Sequence, residues 1–256
     1  MIDRRTFSTV LLAGAAASVL APAARSQPQR AVRNVVLVHG AYADGSCWSE
    51  VIERLQRAGL NITAVQNPLT SLADDVAATR RVLALQDGPT VLVGHSWGGT
   101  VITEAGMDPV VSSLVYVAAR APEVGEDFAA LAARFPAPPV SGSLVKSGGF
   151  ARLSEEAFLK DFASGLGNTK ARVLYAAQGC IAETLFASKT KEAAWKTKPS
   201  WYAVSTKDRM SSPELQRFLA KRMRAGTIGV ESGHLSMITQ PKLIADLVVA
   251  AASEMA

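Results

Sequence analysis

Residues Gly94-His95-Ser96-Trp97-Gly98 form a G-x-S-x-G pentapeptide set between an apolar run and a helical pattern. Thr90-Val91-Leu92-Val93 before it reads as a buried strand, and Gly99-Thr100-Val101-Ile102-Thr103-Glu104-Ala105 after it continues as a helix. A strand that turns sharply into a helix forces its turn residue into strained backbone geometry. Gly94 and Gly98 remove the Cβ atoms that would clash there. Ser96 is then held at the tip of a nucleophile elbow, hydroxyl exposed, close to a helix N-terminus whose unpaired N–H groups favour negative charge. This pattern demands a strand on one side and a helix on the other, which restricts the chain to a small set of α/β architectures.

A serine hydroxyl is a poor nucleophile at neutral pH and needs a base and an orienting acid. The chain has three histidines. His95 adjoins the serine and points away from it on an elbow. His39 directly follows the apolar run Val35-Val36-Leu37-Val38. For both, the preferred role is structural, ring nitrogens tying loops to neighbouring backbone. His234 follows the strand-like run Thr227-Ile228-Gly229-Val230 and is the expected base. The acid is expected in Thr206-Lys207-Asp208-Arg209-Met210, after the strand Ser200–Ser205. Asp208 is the choice, with Glu123 as the alternative. In the resulting scheme His234 takes the Ser96 proton, Ser96 attacks an acyl carbonyl, and Asp208 fixes the imidazole tautomer. The oxyanion needs two donors. The Trp97 N–H and the Ala41 N–H, in the glycine-containing loop after the first strand, are nominated. Tyr42 and Trp97 are the expected substrate contacts. No zinc-ligand spacing occurs, so no metal or other cofactor is implied.

Around these residues β and α patterns alternate. Strands are expected at 34–38, 61–66, 90–95, 113–118, 200–205 and 227–231. Helices are expected near 47–58, after the capping box Ser71-x-x-Asp74, after Ser96, from Ser212-Pro213 and from Pro241. Leu72, Val76 and Leu83 make one apolar stripe, and Ile244, Leu247, Val248 and Ala251 another. Short links between alternating elements give a mostly parallel, doubly wound, six-stranded sheet with ligands at the strand carboxyl ends. Residues 119–198 break the alternation and are expected to form a helical cap after the strand at 113–118. Its aromatic and aliphatic residues Phe128, Leu131, Phe135, Phe150, Phe158, Phe162, Leu166, Leu185 and Phe186 would partly line an apolar pocket and partly hold the cap to the core.

Met1–Ala24 carries paired arginines, Arg4 and Arg5, then an apolar alanine-rich run too short to span a bilayer comfortably, with Ala21 and Ala23 at an A-x-A cleavage spacing. Residues 1–26 read as a signal peptide, Tat-like in its arginine pair, with a Sec signal as the alternative; a periplasmic or secreted location follows, and residues 27–256 are expected to make a single domain. Cys47 and Cys180 are expected as buried free thiols. Net charge is +5. The basic run between Lys189 and Arg224 reads as a solvated helix face rather than an anion-attracting patch, and no nucleic-acid fold signature accompanies it.

Over about residues 34–254 the chain resembles the α/β-hydrolase superfamily, and within it small bacterial esterases related to plant methyl-salicylate-type esterases and hydroxynitrile lyases. The resemblance rests on Leu37-Val38-His39-Gly40-Ala41 with Gly45-Ser46-Cys47-Trp48, on Pro68-Leu69-Thr70-Ser71-Leu72-Ala73-Asp74-Asp75, on Val93–Gly99, on Leu114–Ala119, on Asp208-Arg209-Met210 and on Gly233–Met237. The order Ser96, Asp208, His234 matches the order of that superfamily. Lyases of this group place threonine after the first-strand histidine and lysine after the catalytic one. Gly40 and Leu235 stand there here, and the first loop is two residues longer than the plant pattern, so the resemblance implies ester hydrolysis. The expected activity is a serine carboxylesterase acting on a small to medium apolar ester through an acyl-enzyme. The same triad also serves C–C bond hydrolases, lactonases, amidases and perhydrolases. A small-molecule receptor of this fold is the alternative outside catalysis.

Overall fold

The computed structural model describes residues 32–140 and 144–254. The expected signal segment lies outside them. Among the described residues no helix is long and apolar enough to cross a membrane.

The core alternates as β1 (Asn34–Val38), α1 (Ser49–Arg57), β2 (Asn61–Val65), α2 (Leu72–Leu83), β3 (Thr90–His95), α3 (Gly98–Ala105) and β4 (Val111–Val117). An insertion follows. Its elements are α4 (Phe128–Ala132), β5 (Leu144–Ser147), β6 (Phe150–Leu153), α5 (Glu155–Ala157), a π-helical turn (Phe158–Phe162), α6 (Asn168–Ala177) and β7 (Ile181–Ala182). The core resumes with β8 (Ser200–Ser205), α7 (Pro213–Arg222), β9 (Gly226–Val230), α8 (Ser236–Thr239) and α9 (Pro241–Ser253). Six strands pair in the order β2-β1-β3-β4-β8-β9, all parallel. Every residue of β1 and β3 is buried, as expected of a sheet covered on both faces. Helices α1 and α9 pack together, as do α2 and α3.

The order of pairing locates the site. The chain steps from β1 outward to β2, then returns to place β3 on the other side of β1. That reversal opens a crevice between the carboxyl ends of β1 and β3. The loops leaving those two ends carry Gly40–Tyr42 and Ser96.

Caps follow local chemistry. Ser71 accepts the Asp74 N–H at the start of α2, and Ser212 accepts the Leu215 N–H at the start of α7, where Pro213 fills the first turn. The stripes Leu72/Val76/Leu83 and Ile244/Leu247/Val248/Ala251 are buried. Strand β4 starts two residues earlier than its pattern predicts, and the helix expected near 47–58 begins as a 3-10 turn (Gly45–Trp48) before α1. The insertion is not purely helical. Gly148 and Gly149, both at positive φ, close a two-residue hairpin between β5 and β6, to which β7 adds a third antiparallel strand. Arg222 of α7 pairs with Glu126 at 2.8 and 3.1 Å and so ties the start of the insertion to the core. Cys47 is buried as expected, but Cys180 is exposed. It lies in the link from α6 to β7 at the solvent edge of the insertion, away from any core stripe.

Two histidines are structural. The His39 Nδ1–H donates to Gly40 O at 2.8 Å, and its Nε2 accepts the Asn67 N–H at 2.9 Å. The His95 Nε2–H donates to His234 O at 3.1 Å. Burial holds His39 below the ordinary imidazole value, outweighing the Gly40 carbonyl and the field of Asp44, and holds His95 well below it, with the neighbouring His234 adding to the effect.

Packing at the elbow is tight. A Cβ on Gly98 would stand 2.5 Å from Val38 O and 2.8 Å from His39 O, and one on Gly94 would stand 2.7 Å from Gly98 O. Gly98→Ala is therefore expected to lower stability by about 1–3 kcal/mol in urea unfolding. Gly88→Ala, with 3.9 Å to its nearest neighbour, should lie within about 0.5 kcal/mol of wild type. Equal stabilities would contradict this packing.

The histidines set a pH dependence. Both are neutral in the fold and titrate near 6.5 when unfolded, so below that pH the unfolded chain binds more protons and stability falls. The urea midpoint should drop between pH 7 and 5.5, and His39→Gln should make the drop shallower. A flat midpoint over that window would refute the assignment.

Candidate functional site

Ser96 directly follows β3 with φ of 52°, a left-handed conformation that costs a non-glycine residue energy. Three hydrogen bonds hold it there. Its N–H donates to Val117 O at 3.2 Å, and its carbonyl accepts the N–H groups of Gly99 and Arg120, each at 3.0 Å. The strain aims the hydroxyl out of the turn, into a cavity of about 360 Å³. Gly40 makes the approach possible. A Cβ on it would meet the Ser96 Cβ at 2.7 Å, so this glycine lets the loop after β1 close on the elbow itself.

His234 follows β9 and lines the same cavity. Its Nδ1–H donates to Asp208 Oδ2 at 2.8 Å, with both side chains almost fully buried. Asp208, in the loop after β8, makes a complete set of bonds. Its Oδ1 accepts the N–H groups of Met210 (2.8 Å) and Ser211 (3.1 Å), and its Oδ2 also accepts Gln216 Nε2 (2.7 Å). Four donors occupy the two carboxylate oxygens and fix the orientation of the group. The two loops are joined by Thr206 N–H to Val230 O and Lys207 N–H to Ser232 O. The alternative acid, Glu123, is engaged elsewhere, paired with Lys196.

Ala41 and Tyr42 both line the cavity. Tyr42 adopts φ of 61° and packs edge-on against Phe162 and Phe186. Burial raises its phenol well above the ordinary value, so it is a neutral wall. Trp97 departs from expectation. Its indole is wholly buried and does not line the cavity. Its Nε1–H donates instead to Asp75 Oδ2 at 2.7 Å. The elbow turn that exposes residue 96 directs residue 97 inward. Only the Trp97 backbone N–H is left to face the reacting groups, and neither it nor the Ala41 N–H takes part in a loop backbone hydrogen bond among the described residues.

Of the insertion residues expected at a pocket, Phe128, Phe162 and Phe186 reach the cavity, Phe150 is exposed, and the rest hold the insertion together or onto the core. Much of the basic run is paired with acids from other segments: Lys196 with Glu123, Lys207 with Glu231, Arg209 with Asp161 and Arg222 with Glu126.

Three residues escaped the sequence reading. Gln216 bridges Asp208 and the Ser205 N–H (2.9 Å) and is wholly buried. Asp75 receives the Leu69 N–H at 2.8 Å as well as the Trp97 indole, and burial raises its carboxyl above the usual range. A signal existed for both, since each is a polar residue on the buried stripe of its helix, beside Leu215 and Leu219 or Leu72 and Val76. The third, Arg120, lies just past β4 and reaches the cavity.

The Alpha/beta hydrolase family pattern matches residues 35–247. A carbendazim-hydrolyzing esterase of Nocardioides sp. (strain SG-4G) is 33% identical over 133 residues, which cover 46% of this chain and 53% of that protein. The chain thus spans about half the length of that relative. Polyneuridine aldehyde esterase superposes with a TM-score of 0.74 at 17% identity, covering 86% of this chain and 98% of the other. A methylesterase from Arabidopsis superposes with a TM-score of 0.71 at 19% identity, covering 87% and 100%. With the parallel sheet, the elbow and the family pattern in agreement, the chain belongs to the alpha/beta hydrolase family.

Proposed function

We propose that this protein is a serine carboxylesterase that cleaves small to medium, mostly apolar esters, and that it acts outside the cytoplasm. The observation that carries the reading is an imidazole fixed by a buried carboxylate at 2.8 Å, in one cavity with a serine at φ of 52°. The paired arginines and short apolar run of the first 26 residues support export. Relatives named as esterases support the bond type.

The mechanism follows from the geometry. Asp208 accepts from Nδ1 and so leaves the lone pair of His234 on Nε2. Nε2 removes the Ser96 proton as Oγ attacks the ester carbonyl. Negative charge develops on the carbonyl oxygen, which the N–H groups of Ala41 and Trp97 receive. The imidazolium then protonates the alcohol, which leaves. Water, deprotonated by the same nitrogen, attacks the acyl-serine and releases the acid. The apolar wall, with Tyr42 and Phe162 beside the reacting groups, holds the acyl or alcohol chain and excludes bulk water.

Ser96→Ala should fold like wild type and lose hydrolysis of p-nitrophenyl butyrate by at least about a thousandfold in kcat. Activity within tenfold of wild type would remove the serine from the mechanism. Asp208→Asn should lose a comparable factor, since an amide stabilises the wrong tautomer. Gln216→Leu removes a donor to Asp208 and the acceptor of the Ser205 N–H without touching the cavity, so kcat should fall about tenfold with KM little changed. An effect confined to KM would contradict that positioning role.

A further inference from the structure

Among the described residues that line it, the cavity that receives the ester holds one permanent charge. Among its described lining residues Arg120 is the sole arginine or lysine, and no aspartate or glutamate accompanies it. Most of the wall is aliphatic or aromatic. An isolated cation in such a place is costly unless something pairs with it.

Nothing in the described protein does so. Arg120 forms no ion pair among the described residues. Glu126, the acid whose field it feels, already spends both oxygens on Arg222. The Arg120 Nε is buried without a hydrogen-bond partner, and Nη2 makes one long contact, 3.4 Å, to Phe186 O. Burial pulls its pKa down to about 10, which still leaves it a cation at neutral pH. What positions the guanidinium is aromatic: it stands 4.2 Å from the Phe128 ring centre, 5.3 Å from Trp97 and 5.4 Å from Phe186. Ring faces attract the charge but do not occupy the five N–H donors. The result is a rigidly held donor fork, short of acceptors, at the wall of an apolar chamber. Its backbone N–H also bonds Ser96 O, which ties the residue that carries the fork to the elbow.

We propose that Arg120 is a specificity determinant that binds a carboxylate carried by the ester substrate, making half-esters and other singly anionic esters the preferred class. The inference rests on the serine esterase reading above and deepens it. A carboxylate matches the guanidinium fork in two parallel charge-assisted bonds, which an ammonium would not provide. The apolar wall then holds the methylene chain between the two carboxyl groups. The bond broken is the ester alone. Water adds across it, the alcohol leaves with a proton, and the carboxylate on Arg120 is unchanged.

The test compares two matched pairs. On the acyl side these are monomethyl adipate and methyl hexanoate. On the alcohol side they are 6-acetoxyhexanoate and hexyl acetate. In at least one pair the wild-type kcat/KM should favour the anionic member by tenfold or more. Arg120→Met should reduce that ratio at least tenfold, chiefly through KM, and Arg120→Lys should restore part of it. Binding is read separately by calorimetry on Ser96→Ala, where monomethyl adipate should bind at least tenfold more tightly than methyl hexanoate. Turnover with no preference for the anionic member in either pair overturns the proposal while leaving the esterase intact. Equal losses on charged and neutral esters in Arg120→Met also overturn it, by assigning the residue to the chemistry or the fold. Tight monomethyl adipate binding without turnover of any ester sinks the esterase reading instead. If Arg120→Met does not fold, the wild-type ratios and the calorimetry decide alone.

Discussion

The left-handed backbone of one serine is the constraint on which the rest depends. Ser96 stays at φ of 52° only because its N–H and carbonyl are bonded to the strand and loop beside it, at Val117, Gly99 and Arg120. Those bonds require β3 and β4 to pair in their observed register. They also require two glycines where the turn passes the carbonyls of Val38 and His39 and its own next turn. The strain is local and the over-determination is spread across three strands, which is how a site can hold an unfavourable conformation without unfolding. The Trp97 indole adds to this from the other side, fastened to Asp75 under the elbow.

The second organising principle is the handling of buried charge. Asp208 is surrounded by four donors, two of them backbone N–H groups that cannot move away. It therefore holds the His234 ring in one orientation and has no acceptor capacity left to wander. His39 and His95 take the opposite course, staying neutral and serving as hydrogen-bonding struts. Arg120 follows neither rule within the described protein, and that departure marks it as a group whose partner arrives with the ligand. Function and stability thus use the same chemistry differently: His39 bonds through both ring nitrogens and His95 through Nε2 alone, while the recognition group is a cation short of acceptors.

Much of this was legible in the chain because the relevant signals are local. Six strand positions, the capping boxes, the elbow and the residues after β8 and β9 all follow from short patterns, and boundaries missed by only one or two residues. The burial of β1 and β3 was implied by unbroken aliphatic runs. What escaped depended on long-range packing. The β5–β7 sheet turns at Gly148-Gly149 between β5, exposed at every position, and β6, whose alternation runs for only four residues. The inward turn of Trp97 is set by the elbow geometry and by Asp75, 22 positions away. Gln216 and Asp75 looked like ordinary helix polar residues until tertiary packing placed them on the buried side. The exposure of Cys180 reflects the path of a link that no periodicity describes.

The central claim is that the Ser96 hydroxyl forms a covalent acyl intermediate with the ester. Rapid acid quench of the enzyme with p-nitrophenyl butyrate, followed by intact mass and peptide mapping, tests it directly. The account predicts one butyryl group per chain, carried on Ser96 and absent from Ser96→Ala. Hydrolysis that proceeds with no acyl group on the protein, or with the group on another residue, would contradict it.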